Sequence, residues 1–356
     1  MRKAKKAYLV LSDGTVYEGK RFGSETDQTG ELVFTTGMTG YIETLTDPSY
    51  GGQIVMQTFP LIGNYGIIPE DFEGASALMG YAVREYCDTP SNFRCEKTLD
   101  AYLKENGIPG IYGIDTREIT RKIREYGVIN AGIFSKIPED LSEIQNYTVS
   151  HEILSEVSCK EALEKRSEEE KYHVVLMDFG AKNNISEELR KRGCRVTTVP
   201  FDTSADEILS MNPDGIMLSN GPGDPADNTG VISEIAKLLG KKPMFGICLG
   251  HQMTALAAGA KTYKLKYGHR GANQPVTDTV TGKTWITTQN HGYAVDSSTL
   301  PPFAKERFLN TNDGTCEGVD YPEHKCFTVQ FHPEACAGPK DTGFLFDRFI
   351  AMMKED

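Results

Sequence analysis

The sequence predicts an α/β protein in which a strand-rich N-terminal α/β domain precedes a doubly wound, mostly parallel sheet. Three observations support this fold class. The 356 residues exceed the size that one hydrophobic core usually reaches. Short apolar runs between turn residues fill the first part, whereas apolar runs alternate with helical patterns in the second. We expect domains at 1–150 and 172–356, joined by a charged linker at 151–171.

The N-terminal part begins with a hairpin pattern. An Asp-Gly pair at 13–14 separates two apolar runs, and this pair is typical of a tight turn between antiparallel strands. Further along, Asp115 and Glu118 have the spacing of a capping box and predict the start of a helix. We expect that helix to end at Gly127, because glycine commonly follows the last helical residue.

The second part changes to regular alternation. The charged run 155–172 is most simply a solvated helix or linker. The apolar strand 173–178 follows it, and a helical pattern through 187–192 ends at Gly193. Further strand and helix patterns continue to Ile247. This order predicts a parallel sheet covered on both faces, with ligands beyond the carboxyl ends of its strands.

Composition argues against several classes of protein. The net charge of −12 and pI of about 5.2 disfavour nucleic-acid and anionic-membrane binding, since both need a basic surface. No apolar run reaches the length of a membrane span, and the run before Asp13 is too short for a signal-peptide core. None of the eight cysteines forms a C-x-x-C pair, which favours a reducing compartment. We therefore expect a cytoplasmic protein.

The segment around Cys248 carries the clearest chemical signal. An apolar strand ends at Ile247 and a helical pattern begins at once, so Cys248 lies on a sharp turn between Gly246 and Gly250. The helix N-terminus favours a thiolate, and the N–H of Leu249 would point at a developing oxyanion. A buried structural cysteine is the alternative, but that role does not require both glycines.

A nucleophilic thiolate needs a general base and a group that orients the base. Near the C-terminus, an apolar strand pattern ends in His332, and Glu334 follows two residues later. Alternation along a strand would place both side chains on one side, so that Glu334 could hold the imidazole in the correct tautomer. An isolated histidine after a strand would be unremarkable; its combination with Cys248 makes it a candidate base.

A third motif is the loop from Ser219 to Pro225. It follows a strand that should neighbour the strand before Cys248, and the N–H groups of Gly221 and Gly223 could reach the same oxyanion and the substrate backbone. A plain turn is the alternative for this loop taken alone. A phosphate-binding loop fits poorly, because neither common glycine-rich phosphate motif is present.

The segments GICLGHQ, SNGPGDP and FHPE, in that order, resemble the class I (triad) glutamine amidotransferases. The resemblance implies the amidotransferase fold for the C-terminal domain. It also implies attack of Cys248 on the carboxamide of L-glutamine, release of ammonia and hydrolysis of a glutamyl thioester, with His332 and Glu334 completing the triad.

The rest of the chain is similar to the small-subunit family of carbamoyl phosphate synthetases, through TLTDPSY, FPLIGNYG, GIYGIDTREIT, KYGHRGANQPV and TTQNHGYAVD. By this resemblance, eight positions are expected to contact glutamine: Ser49, Gly221, Gly223, Leu249, Gln252, Asn290, Gly292 and Tyr293. The chain departs from the family text at Cys336, where Ser is common, and at Tyr293, where Phe is frequent. Neither departure affects the triad.

The resemblance also implies a partner. A large synthetase subunit would use ATP, Mg²⁺ and bicarbonate and receive the ammonia, while this chain would need no cofactor of its own. Its product would serve arginine and pyrimidine synthesis. Cys248, His251 and His332 lack the spacing of a structural zinc site, so we predict no metal. His251 is expected to pack in the helix, and His291 to line the pocket or contact the partner.

Three alternatives remain at this stage. The chain could serve a different synthetase, such as one making anthranilate or guanylate, but that would leave the first 150 residues unexplained. It could be a stand-alone cysteine hydrolase, although the acid following the base favours the amidotransferase order. It could also be a non-catalytic module, which the complete Cys–His–Glu set disfavours.

Overall fold

The computed structural model describes residues 5–354 and divides into two compact units, Met1–Ser150 and His151–Asp356. Residues 1–4, which begin the segment considered for a signal peptide, and residues 355–356 lie outside the described range. Within residues 5–354, no helix combines the length and apolar character that crossing a membrane requires.

The first unit is rich in strands, as predicted. Its strands and helices, in chain order, are β1 (Lys6–Leu11), β2 (Val16–Gly23), β3 (Gln28–Thr35), α1 (Tyr41–Thr46), β4 (Gln53–Gln57), β5 (Leu61–Ile62), β6 (Gly80–Val83), β7 (Glu85–Tyr86), α2 (Leu99–Glu105), β8 (Pro109–Tyr112), α3 (Thr116–Tyr126), β9 (Ile129–Phe134) and α4 (Ser142–Gln145).

Seven of these strands close into a barrel in the order β1-β2-β8-β6-β4-β3-β9. The hairpin predicted around the Asp-Gly pair is confirmed, because β1 and β2 pair antiparallel with Val10 opposite Val16. The barrel itself was not predicted. Its closure depends on pairings between strands far apart in the chain, such as β1 with β9, and short-range patterns do not report these.

Alternate residues of the barrel strands face opposite ways. Val33, Val55 and Tyr81 belong to a buried cluster that includes side chains of α1 and α2. Helices lie outside a closed barrel, so these side chains point outward. Leu32 and Ile54 are one residue out of phase with them and fully buried, which places them in the barrel interior.

The helix predicted after Asp115 is confirmed as α3. The Asp115 carboxylate accepts hydrogen bonds from the backbone N–H of Arg117 and Glu118, and Gly127 follows the last residue with a φ of 101°. Ile119 and Ile123 are buried, as the helical spacing indicated.

The second unit mostly alternates helices and strands in its first part and then has five consecutive strands before its last helix. In chain order it contains α5 (Ile153–Val157), β10 (Leu163–Lys165), β11 (Tyr172–Asp178), α6 (Asn183–Lys191), β12 (Cys194–Pro200), α7 (Ala205–Ser210), β13 (Gly215–Leu218), α8 (Thr229–Leu238), β14 (Met244–Ile247), α9 (Leu249–Ala257), β15 (Lys261–Asp278), β16 (Thr284–Asp296), β17 (Lys305–Asn310), β18 (Cys316–Tyr321), β19 (Cys326–Val329) and α10 (Phe344–Lys354).

The sheet of this unit is mixed, which corrects the prediction of a mostly parallel sheet. Its ten strands run in the order β10-β12-β11-β13-β14-β19-β18-β17-β15-β16. The strands from β12 to β19 in that order pair in parallel, whereas β18, β17, β15 and β16 extend the sheet by antiparallel pairing. The motifs before residue 258 indicate only the parallel half, because the long strands after α9 lack helical crossovers.

Helices cover both faces of the parallel half. Val174 and Phe245 share a buried cluster with Leu189 of α6 and Phe349 of α10. The opposite face meets α9, where His251 bonds to Thr328 of β19. The α/β prediction for this part of the chain is therefore confirmed.

The charged segment predicted as a solvated helix or linker also contains regular structure. It includes part of α5 and the short strand β10, which pairs antiparallel with β12 at the edge of the sheet. This segment is therefore part of the second unit, and the local charge pattern did not reveal its pairing with β12.

Replacement of the α3 cap provides a test of the first unit. We expect Asp115→Ala to lower the free energy of unfolding by about 1 kcal/mol, because two backbone N–H groups lose their acceptor. Urea denaturation measures this change. Asp88→Ala, which removes an exposed aspartate that caps no helix, is the matched control. Equal stability of the two variants would contradict the assigned cap.

Candidate active site

Cys248 occupies a strained turn between β14 and α9. Its φ of 54° and ψ of −103° are unusual for a residue with a side chain, and such strain is concentrated at functional sites. Its backbone N–H donates to the carbonyl of Val329 on β19, at 2.8 Å. The strand-to-helix elbow predicted from the sequence is thus formed, and Cys248 is the N-cap residue of α9.

The two flanking glycines allow this elbow to pack closely. A Cβ on Gly250 would lie 2.6 Å from the carbonyl oxygen of Leu218, and one on Gly246 would lie 2.9 Å from the carbonyl oxygen of Gly250. Real side chains do not approach backbone atoms so closely, so larger residues would displace α9 from the sheet. The sequence argument for both glycines therefore has a direct steric basis.

His332 and Glu334 come together through a turn, not through a strand. The strand β19 ends at Val329, three residues before His332, which corrects the prediction that a strand ends in His332. Beyond it, the N–H of Ala335 donates to the carbonyl of His332 at 3.2 Å. Nδ1 of His332 lies 2.7 Å from Oε1 of Glu334, and both side chains are buried.

The electrostatics of this pair are set by their surroundings. Burial alone would lower the pKa of His332, but the Glu334 carboxylate and the nearby Cys248 outweigh it and raise that pKa to about 10. Burial would raise the pKa of Glu334, yet Lys182 and His332 together lower it to about 2. At neutral pH the arrangement therefore favours a carboxylate beside an imidazolium.

Lys182 and Asn184 complete the surroundings of Glu334, and the sequence analysis did not identify them. Nζ of Lys182 lies 3.1 Å from Oε1 of Glu334 and donates to the carbonyl of Ala335 at 2.7 Å, with its side chain only 4% exposed. Asn184 donates to the carbonyl of Glu334. Both residues follow β11, so their position after a parallel strand is a signal that could have revealed them.

The loop after β13 is tied to the loop after β11. Oγ of Ser219 accepts from the N–H of Phe179, and the Asn220 side chain accepts from the N–H of Lys182 while donating to the carbonyl of Gly180. A Cβ on Gly221 would lie 2.9 Å from the Leu249 side chain. The structure therefore places Gly221 against the elbow.

Strand β16 supplies a further wall beside Cys248. The Cys248 thiol lies 3.6 Å from the carbonyl of Asn290, its hydrogen-bond acceptor. The amide of Gln252 donates to the carbonyl of Tyr293 and to the side chain of Gln330, at 2.8 and 2.9 Å. Asn290, Gly292 and Tyr293 all lie on this strand, and Gln252 joins it to α9.

The structure also describes the surroundings of the remaining sequence candidates. Gly223 has a φ of 90° and lies against Ile153 of α5. Ser49 belongs to the first unit, where its N–H donates to Asp47, and its contact with glutamine stays a prediction. His251 is fully buried, and burial lowers its pKa to about 3, in keeping with the packing role expected for it. Cys336 lies 3.5 Å from the Asn184 amide.

These groups suit hydrolysis by a thiol. Cys248 is presented on the elbow, and the ring of His332 is held by Glu334 through Nδ1. In the described part of the chain, Nε2 of His332 is buried and makes no hydrogen bond of good geometry, while Cys248 is near enough to raise the pKa of the ring. Nε2 can therefore exchange a proton with the thiol or with a reacting group. A nucleophile, a base and an orienting acid are the requirements of acyl transfer through a covalent intermediate.

Two known families match the chain, one in each unit of the fold. Residues 9–133 match the family described as carbamoyl-phosphate synthase small chain, CPSase domain, and residues 175–352 match glutamine amidotransferase class-I. The second match contains Cys248, His332 and Glu334. The solved structure of a glutamine amidotransferase from Thermotoga maritima is 19% identical with a TM-score of 0.38, covering 51% of this chain and 84% of that one.

Whole-chain relatives are closer in sequence. The carbamoyl phosphate synthase small chain of Staphylococcus epidermidis is 52% identical over 355 residues, which cover 98% of this chain and 96% of the relative. The protein of the same name from Archaeoglobus fulgidus is 50% identical over 357 residues, covering 98% of this chain and 99% of the relative. With both parts matched in one continuous alignment, the chain belongs to the carbamoyl phosphate synthase small chain family.

Proposed function

We propose that this chain is the glutamine-hydrolysing subunit of a carbamoyl phosphate synthetase and that Cys248, His332 and Glu334 perform the hydrolysis. The observation that carries the proposal is the buried His332–Glu334 pair beside a cysteine on a strained elbow. Membership of the small chain family also supports a partner, because the name small chain implies a large chain that carries out the rest of the reaction.

The first step is attack of the Cys248 thiolate on the carboxamide carbon of glutamine. His332 removes the thiol proton, or rests as an imidazolium beside the thiolate, which is consistent with its raised pKa. As the tetrahedral intermediate collapses, His332 returns the proton to the departing nitrogen and ammonia leaves. Water then hydrolyses the glutamyl thioester to glutamate and restores the thiol.

The negative oxygen formed in both steps needs hydrogen-bond donors. The N–H of Leu249 at the start of α9 and a glycine N–H from the 221–223 loop are the proposed donors, because Gly221 packs against Leu249. The proposed contacts for the amino-acid part of glutamine are Gln252, Asn290, Gly292 and Tyr293, and Ser49 is a further proposed contact.

The large subunit would carry the remaining chemistry. ATP, Mg²⁺ and bicarbonate are assigned to that partner, which would receive ammonia through a protected path and form carbamoyl phosphate. We assign docking of the partner to the first unit, in line with its match to the family's own domain. A stand-alone cysteine hydrolase is the competing function, and a coupled assay distinguishes the two.

Replacement of the nucleophile tests the proposal directly. We expect Cys248→Ser, assayed with a large subunit from a close relative, to lose glutamine-dependent carbamoyl phosphate synthesis by about 1,000-fold or more, because a hydroxyl ionises far less readily than a thiol and is a weaker nucleophile in a site built for sulfur. Ammonium-dependent synthesis should persist, since that nitrogen source bypasses the thiol.

Other results would redirect the assignment. Full glutamine-dependent activity in Cys248→Ser would refute the nucleophile. Hydrolysis of glutamine by the wild-type chain, without carbamoyl phosphate formation by any matched large subunit, would retain the thiol chemistry and favour the stand-alone hydrolase. Cys326→Ser, which changes a buried cysteine on β19 outside the triad, is the matched control for the effect of a thiol-to-hydroxyl change.

Neutralising the acid tests its effect on the base. We expect Glu334→Gln to lower the pKa of His332, because the carboxylate is the main group that raises it, and to reduce hydrolysis less than Cys248→Ser does. NMR titration of ring-labelled histidine measures this pKa. An unchanged His332 titration in Glu334→Gln would show that the carboxylate does not act on the ring.

The same pair predicts how stability depends on pH. The folded pKa of His332 is raised above 6.5, so its contribution is complete below 6.5 and is lost as pH rises through about 10. The folded pKa of Glu334 is lowered, so its contribution is present above 4.5 and is lost as pH falls through about 2. The difference in free energy of unfolding between wild type and Glu334→Gln should therefore shrink below pH 4.5. Chemical denaturation at a series of pH values measures this difference. A difference that stays constant across pH would contradict the pairing of His332 with Glu334.

A further inference from the structure

A second group of polar side chains lies within the antiparallel half of the sheet. His269 of β15, His291 of β16 and Glu317 of β18 converge there, with side chains 11%, 1% and 0% exposed. One nitrogen of each histidine and one carboxylate oxygen lie within 4.8 Å of one another. The proposed hydrolysis uses none of these three side chains.

The spacing of these atoms is longer than that of good hydrogen bonds. Oε1 of Glu317 lies 3.4 Å from Nδ1 of His269 and 3.9 Å from Nε2 of His291, whereas N–H···O bonds are usually about 2.7–3.2 Å. Ligands bound at about 2.0–2.2 Å in a tetrahedron are about 3.3–3.6 Å apart by geometry. The 3.4 Å separation therefore matches that between two ligands of one metal ion, and the 3.9 Å separation is slightly longer.

The other nitrogen of each ring is already occupied. Nε2 of His269 lies 2.8 Å from Oδ2 of Asp313, and Nδ1 of His291 lies 2.7 Å from the carbonyl of Tyr293. A carbonyl only accepts, so Nδ1 of His291 carries the proton at its shorter contact of 2.7 Å. In the neutral ring the lone pair of Nε2 then faces two further oxygens, Oε1 of Gln289 at 3.2 Å and Oε1 of Glu317 at 3.9 Å. Metal-binding histidines characteristically give their second N–H to a carboxylate or carbonyl in this way.

The side-chain oxygens of Glu317 and Gln289 beside the two histidines also have too few hydrogen-bond donors. Oε2 of Glu317 is buried and has no hydrogen-bond partner among residues 5–354, while Oε1 accepts from the Asn310 amide at 3.2 Å. Oε1 of Gln289 lies 3.2 Å from Nε2 of His291. A buried carboxylate with an unpartnered oxygen is costly unless a cation or proton compensates it.

We propose that His269 Nδ1, His291 Nε2 and Glu317 Oε1 bind one divalent transition-metal ion of the zinc type. Two imidazoles and a carboxylate form a donor set that suits zinc. Sequence spacing did not indicate this site and led to the prediction of no metal, because the three ligands come from three strands that become neighbours only in the folded sheet.

The site lies next to the proposed glutamine contacts. His291 stands between Asn290 and Gly292 on β16, and its Nδ1–H bonds to the same Tyr293 carbonyl that Gln252 uses. An ion holding His291 would thus fix the strand that faces Cys248. This consequence rests on the proposed function, whereas metal binding itself does not.

The test measures metal binding to the full-length chain carrying Cys248→Ser. This change removes a thiol that lies near His332 and could bind the metal in competition with the proposed site. After treatment with a chelator, Zn²⁺ alone is titrated by calorimetry and Co²⁺ by absorption. We expect about one equivalent bound below about 1 μM, with cobalt bands of tetrahedral nitrogen and oxygen ligation and no sulfur-to-cobalt charge-transfer band.

Variants in the same background assign the ligands. Glu317→Gln should weaken Zn²⁺ binding by at least about 100-fold. Asp313→Asn, which changes the partner of His269 and keeps a side-chain oxygen for Thr315, should weaken it by about 10- to 100-fold. Glu323→Gln changes an exposed carboxylate near the end of β18 and should leave binding unaltered. If Glu317→Gln does not fold, the cobalt spectrum and the Asp313→Asn variant still decide the matter.

Two outcomes would overturn the site. Absence of tight Zn²⁺ binding by the folded chain would mean that these residues form a hydrogen-bonded network only, and binding unaffected by both variants would place the ion elsewhere. In the wild-type chain, metal removal should raise the KM for glutamine more than it lowers kcat. A chain that binds zinc here yet never hydrolyses glutamine would contradict the proposed function and leave the metal site standing.

Discussion

The buried negative charge of Glu334 is the constraint around which the rest of the site is arranged. A carboxylate without solvent is stable only when nearby cations and donors compensate it. Lys182 lies 3.1 Å away and the His332 ring 2.7 Å away, and both are buried as well. These partners follow β11 and β19, and the parallel order of the sheet brings the carboxyl ends of those strands to one edge.

Close packing imposes a second constraint, on Cys248, the proposed nucleophile. The start of α9 lies so near β13 that Gly250 has no room for a side chain, and Cys248, two residues earlier, has an unusual backbone conformation. The strain is therefore supported by the parallel core of the unit, where Phe245 stacks on Phe327. A stable core can hold a reactive side chain in a geometry that a flexible loop would not maintain.

The antiparallel half of the sheet forms the wall beside Cys248. Strand β16 brings Asn290 next to Cys248 and is joined to α9 through Gln252. Its neighbours β15 and β18 contribute the histidines and carboxylate of the second buried cluster. The proposed catalytic side chains thus depend on the parallel half of the sheet, whereas the wall that faces the Cys248 thiol depends on the antiparallel strands.

Patterns of residues close together in the chain were sufficient to predict the hairpin around the Asp-Gly pair, the cap at Asp115, the elbow at Cys248 and the candidacy of His332 and Glu334. The closure of the N-terminal barrel, the mixed character of the larger sheet, and the positions of Lys182 and Glu317 became visible only in the folded chain. The physical reason is how far apart in the chain the residues lie that determine each feature. Turns, caps and elbows follow from local backbone sterics, whereas strand order and the compensation of buried charge depend on contacts between segments far apart in the chain.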